Sequence, residues 1–174
     1  MNKRDTAANR IFMEMYDGYS DEIFRFVLSQ TRNRDRALDI TQETFIKVWD
    51  YLRNDNEIER ARPFLYKTAR NLIIDHSRKK SFSSLDALLD SEIPQEFADL
   101  DNPDQENVLD TKRAIEQLKT LAPEHFEILS MRFIQELTIP EIAAIYNQNE
   151  NAISVRIHRA LKSAQKYLTN DYEQ

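Results

Sequence analysis

A chain of 174 residues with five Pro, one Gly and no Cys cannot carry a Walker loop, a Rossmann fingerprint, a nucleophile elbow, a disulfide framework, a thiolate zinc site or a cysteine nucleophile. Its 24 Lys and Arg against 30 Asp and Glu give a net charge of −6, and that excess is localised. Residues 1–80 carry +3, residues 81–110 carry −9 without one basic side chain, and residues 111–174 are neutral.

Scarce Gly and Pro, with apolar residues at helical spacing, predict an all-α protein. The first stripe is Phe12, Met15, Tyr16, Tyr19, Ile23, Phe26 and Val27, with an interruption expected near Gly18. Asn33 is placed to take a left-handed cap, and Asp35 to cap the helix that follows. That helix, expected over residues 36 to about 52, puts Leu38, Thr41, Phe45, Val48, Trp49 and Leu52 on its core face. Its opposite side carries Asp39, Glu43, Ile46 and Asp50, an acidic stripe with an apolar residue in the middle. A solvated face is the plain reading of such a stripe, and the exposed Ile46 favours a protein-docking surface instead.

The third helix begins near Pro63, with Leu65, Ala69, Leu72 and His76 on the inner face. Lys67, Arg70, Asn71, Ile74 and Arg78 form the other stripe, and Lys79 and Lys80 follow. Such a surface suits phosphate neutralisation, and the Asn71 amide can donate to and accept from a base edge. Residues 81–110, with nine acids and two prolines, bury too little apolar surface to offset the entropy of ordering and read as a flexible acidic linker between two small domains.

Beyond the linker, Thr138 and Glu141 have capping-box spacing, Pro140 fits the first turn, Ile142, Ala143 and Ile145 face inward, and Asn147 can take the left-handed position at the helix end. A short helix therefore ends near Tyr146. A longer one starts at Glu150 or Asn151 and runs to about Leu168, with Ile153, Ile157, Ala160, Leu161, Ala164 and Leu168 inside and Arg156, Arg159, Lys162 and Lys166 outside. No acid falls between Asn151 and Leu168. Short helix, tight turn and basic helix form the helix-turn-helix plan, in which the second helix enters the major groove.

Three blocks in this order, the first running from Ala37 through Thr41-Gln42-Glu43 to Trp49, the second from Phe64 through Ala69-Arg70-Asn71 to Lys79, and the third from Leu137 to Lys162, resemble the extracytoplasmic-function (ECF, group 4) sigma factors of the sigma-70 family. The resemblance implies sigma region 2 over residues 1–80, a linker over 81–110 and sigma region 4 over 111–174. It implies that Asp39, Gln42, Glu43 and Ile46 dock on the clamp coiled coil of the polymerase largest subunit, with the flap as a further contact. It implies that the third helix and the loop before it bind the minus-ten element, with Asn71 near a flipped base and Lys67, Arg70 and Arg78 on phosphates. Minus-thirty-five contacts fall to Asn151, Ser154, Val155, Arg156 and Arg159, with His158 and Lys162 nearer the backbone. An anti-sigma partner is implied too. Many members of the family this chain resembles carry Lys or Arg at the position of Ser154 and Gly at that of Asn147, so which bases the centre of the recognition helix reads is left open by the resemblance. The linker charge suggests a nucleic-acid mimic that covers the basic helices of the free protein, against the alternative of a spacer kept soluble by charge.

Two other classes compete. A free-standing regulator would share the helix-turn-helix and have no need of the Asp39/Glu43 stripe. An enzyme would need a constellation that does not appear: Glu14, Asp17, Asp21 and Glu22 read as helix surface, and His76, His125 and His158 are too dispersed for a local metal motif. No cofactor, metal or catalytic residue is expected. No apolar run approaches the roughly 18 residues that span a bilayer, and the first five residues do not begin a signal peptide, so a cytoplasmic protein without membrane insertion is expected.

Overall fold

The computed structural model describes the backbone of residues 3–83 and 122–170 and the side chains of residues 7–78 and 122–164. From residue 84 onward the expected linker lies outside the described residues, as do residues 111–121 of the expected C-terminal domain and the side chains of Lys79, Lys80, Lys166 and Leu168. All regular structure among the described residues is helical, and the chain divides into two units, Met1–Pro94 and Gln95–Gln174.

The first unit contains α1 (Lys3–Thr31), α2 (Arg34–Arg53) and α3 (Ala61–Ser83), each packed on the other two. α1 runs unbroken through Gly18, where an added Cβ would meet nothing within 4 Å, so the expected interruption does not occur. Met15, Ile23, Phe26 and Val27 are buried as the stripe requires, while Tyr16 is 46% exposed at the helix edge. Each fully buried side chain of this size contributes roughly 1.5–3 kcal/mol relative to exposure. Tyr66 of α3, wholly buried, packs its ring 4.9 Å from that of Phe26.

The α1–α2 turn corrects the expected cap. Arg32, not Asn33, takes the left-handed conformation (φ 54°), and its N–H donates to Leu28 O at 3.0 Å. Asn33 is extended, and its Oδ1 accepts from Arg36 N at 2.9 Å as the N-cap of α2, leaving Asp35 in the first turn. An Asn has one backbone conformation to give, and the N-cap hydrogen bond requires the extended one. The core face of α2 is also rotated from the expected one: Ala37, Ile40, Thr44, Phe45, Val48 and Leu52 are buried, and Leu38 is 41% exposed.

The second unit contains α4 (Pro123–Leu129), which continues through a π-helical turn (Ser130–Ile134), then α5 (Ile139–Tyr146) and α6 (Glu150–Asn170). Its buried side chains include Ile128, Met131, Leu137, Ile142, Ile145, Ile153, Ile157 and Ala160, while Phe126 clusters with Ala122 against Leu129 and Ala164. Thr138 and Glu141 form the expected capping box, with Thr138 N donating to Glu141 Oε2 at 2.8 Å. Asn147 is left-handed (φ 52°) and Gln148 N donates to Ala143 O at 3.0 Å, which closes α5 by a Schellman motif. α6 starts at Glu150, capped by Asn149 Oδ1 accepting from Ala152 N at 2.8 Å. Leu161, expected inside, is 39% exposed.

Candidate nucleic-acid and polymerase interfaces

α6 presents its polar side as expected. Asn151, Ser154, Val155, His158, Arg159 and Lys162 are all exposed, over a helix anchored by buried Ile153 and Ile157. Ser154 Oγ donates to Glu150 O at 2.9 Å, so this hydroxyl faces DNA chiefly as an acceptor. Arg156 differs from the other basic residues. Its guanidinium lies 4.4 Å from the Tyr146 ring centroid and donates to Gln148 Oε1 at 3.2 Å, while Tyr146 Oη donates to Glu127 Oε2 at 2.7 Å. The arginine is thereby held across the turn between α5 and α6 instead of extending freely from the helix.

On α3, Lys67, Asn71 and Arg78 are exposed, and Arg70 and Ile74 are half-buried. Arg62, the first basic residue of this segment, points elsewhere: its Nε and Nη2 lie 2.7 and 2.6 Å from Glu22 Oε1 on α1. Tyr66 Oη donates to the same oxygen at 2.8 Å. Burial pushes the Tyr66 phenol above its usual value and the Glu22 carboxylate pushes it further, so this O–H stays a donor. Glu22 is therefore a link between helices rather than a member of a surface acid cluster.

On α2, Asp39, Gln42 and Asp50 are exposed and Ile46 is 58% exposed. Gln42 and Ile46 edge an open groove of about 450 Å³ between α1 and α2, floored by Phe12, Tyr16, Phe45 and Trp49. Glu43 is half-buried and engaged. His76 Nε2 sits 3.0 Å from Glu43 Oε2, and Lys47 Nζ is 4.0 Å from Oε1. His76, expected on the inner face of α3, instead lies at its margin, within reach of this carboxylate. Sequence reading missed the Glu22–Arg62–Tyr66 link, the Glu43–His76 pair and the Tyr146–Arg156 stack. The first two join residues more than 30 positions apart, for which helical periodicity carries no signal.

A capped helix-turn-helix ending in a basic helix has the plan of a DNA-binding protein, and α2 carries in addition an exposed ridge that is both acidic and apolar. Comparison with known families agrees. The model for Sigma-70 region 2 matches residues 15–82, and the model for Sigma-70, region 4 matches residues 117–165. The chain belongs to the sigma-70 family, among its ECF sigma factors: it binds core RNA polymerase and directs promoter recognition and transcription initiation.

The chain is 27% identical over 169 residues to the ECF RNA polymerase sigma factor BldN of Streptomyces coelicolor, covering 92% of this chain and 61% of that protein. It is 27% identical over 172 residues to the RNA polymerase sigma factor SigV of Bacillus subtilis, covering 98% of each. The fold is similar to that of the sigma factor RpoE from Bartonella quintana, solved in complex with the anti-sigma factor NepR, with a TM-score of 0.67, 20% identity, and coverage of 92% of this chain and 98% of that one. Among the described residues no helix is long and apolar enough to cross a membrane.

Proposed function

We propose that the two units divide the work of promoter selection, with residues 1–80 acting as region 2 and residues 111–174 as region 4. Asp39, Gln42, Glu43 and Ile46 dock on the polymerase clamp. Lys67, Arg70 and Arg78 hold backbone phosphates of the minus-ten element while Asn71 reads an unstacked base. α6 reads the minus-thirty-five element through Asn151, Ser154, Val155, Arg156 and Arg159, with His158 and Lys162 on the flanking backbone. The exposed Phe133 and Ile134 of the π-helical turn suit an apolar contact with the flap.

The observation that carries this reading is the ridge on α2, where Asp39, Gln42 and a 58% exposed Ile46 stand on a helix whose other face is fully committed to the core. A free-standing regulator has no use for it. The protein works by binding energy alone, performs no bond chemistry, and acts in the cytoplasm where polymerase is found. An anti-sigma factor restrains it, as supported by the complex in which its structural neighbour from Bartonella quintana was solved.

Run-off transcription with purified core polymerase on fragmented genomic DNA tests the activity and reveals the promoters together; start sites no different from those of core polymerase alone would refute it. D39K/E43K is expected to abolish co-purification with core polymerase while helicity is retained. Continued co-purification would remove the docking assignment.

A further inference from the structure

The loop between α2 and α3, residues 54–60, stands immediately before the helix assigned to the minus-ten element, and the structure fastens it at both ends. On the α2 side, Asn54 Nδ2 donates to Asp50 O at 2.8 Å and Asn56 Nδ2 to Tyr51 O at 3.1 Å, with Asp55 left-handed (φ 58°) between them. On the α3 side, Phe64 N donates to Arg60 O at 3.2 Å, and the Phe64 ring packs 4.8 Å from that of Tyr51. These contacts join α2 to α3. They do not fix the start of α3 against α1.

Glu22 does. One of its carboxylate oxygens receives both Arg62 nitrogens and the Tyr66 hydroxyl, at 2.6 to 2.8 Å, and its side chain is 17% exposed. Arg62 is the second residue of α3 and Tyr66 lies one turn further on, so three donors from the first turns of this helix converge on one oxygen of α1. Partly buried charge pairs add little net stability over apolar packing of the same volume, but they tolerate few geometries. Resting on the sigma-factor reading above, we infer that Glu22 is a positioning residue for minus-ten recognition. Through Arg62 and Tyr66 it sets where the 54–60 loop and Asn71 meet the melted strand. The same contacts withdraw Arg62 from phosphate binding.

The test compares wild type, the near-isosteric E22Q and the charge swap E22R/R62E, each as the full chain with core polymerase, on a promoter selected by the run-off assay. Melting temperature, core affinity and open-complex yield are measured on the intact promoter and on the same promoter with a pre-melted minus-ten segment. E22Q is expected to keep core affinity within about twofold and to lose open-complex yield at least about tenfold on intact duplex, since misplacements of about 1 Å are costly to positioned groups. The loss should shrink when that segment is already melted, and the charge swap should recover most of it. Wild-type yield from E22Q overturns the inference, as does core affinity falling in parallel with yield or a swap that folds without recovering function. If wild type itself gives no start-site selectivity, it is the sigma-factor reading that fails.

Discussion

Arg156 sits over Tyr146 with its guanidinium 4.4 Å from the ring centroid, so much of its rotamer freedom is already spent before DNA arrives. A guanidinium held in this way loses less entropy on contacting a base or phosphate than a free one. Tyr146→Ala removes the stack and is expected to weaken promoter binding by about 0.5–2 kcal/mol, a few-fold to about thirtyfold in Kd by fluorescence anisotropy. Tyr146→Phe keeps the ring and removes the hydroxyl that donates to Glu127, so stability should fall by about 1 kcal/mol while DNA affinity holds. Gly18 is the opposite case, a residue whose removal should help. It lies exposed within α1 with open space where a Cβ would go, and Gly18→Ala is expected to raise stability by roughly 0.5–1 kcal/mol in urea titration.

At the level of elements, the helix ends explain what could be read in advance. Thr138, Pro140, Glu141 and Asn147 act entirely within one short stretch, and the structure uses each as local chemistry requires. Asn147→Ala should cost about 1–2 kcal/mol, because alanine resists the left-handed conformation that closes α5; thermal denaturation would register it. Asn33 had two local options, and the contest with Arg32 was settled by the N-cap bond to Arg36, which periodicity does not weigh. The same limit accounts for Leu38, Leu161 and His76. Helical spacing gives a stripe its width to within one residue on either side, and neighbouring helices decide which edge is covered. Ala37, Ile40 and Thr44 won that place on α2 because α1 and α3 pack there. Of the candidate surfaces, most exposed positions on α2, α3 and α6 are legible because they are polar or charged residues opposite an apolar stripe, while Ile46 and Val155 are apolar residues on the exposed side. The side-chain links between helices are not legible, since nothing in the spacing of Glu22 announces Arg62.

For the molecule as a whole, charge is partitioned so that the helices proposed to face DNA are basic within a chain that is acidic overall. Association with promoter DNA by the holoenzyme should therefore weaken as salt rises. Arg159→Ala should reduce the slope of log K against log salt by about one if that side chain neutralises one phosphate, and leave core polymerase binding unchanged. Ile153→Ala probes the other extreme. This side chain is fully buried beneath α6, and its truncation is expected to cost about 2–5 kcal/mol, enough to unfold so small a core and abolish minus-thirty-five contacts while polymerase still co-purifies with the chain.

Glu43 is held by His76 at 3.0 Å, although it is also one of the acids proposed to dock on polymerase. If polymerase docks there as proposed, the imidazole on Oε2 leaves Oε1, 4.0 Å from Lys47 Nζ, as the oxygen an incoming cation meets first. A carboxylate already engaged on one side offers fewer approaches than a bare one, so it favours a cation whose geometry matches the side left open.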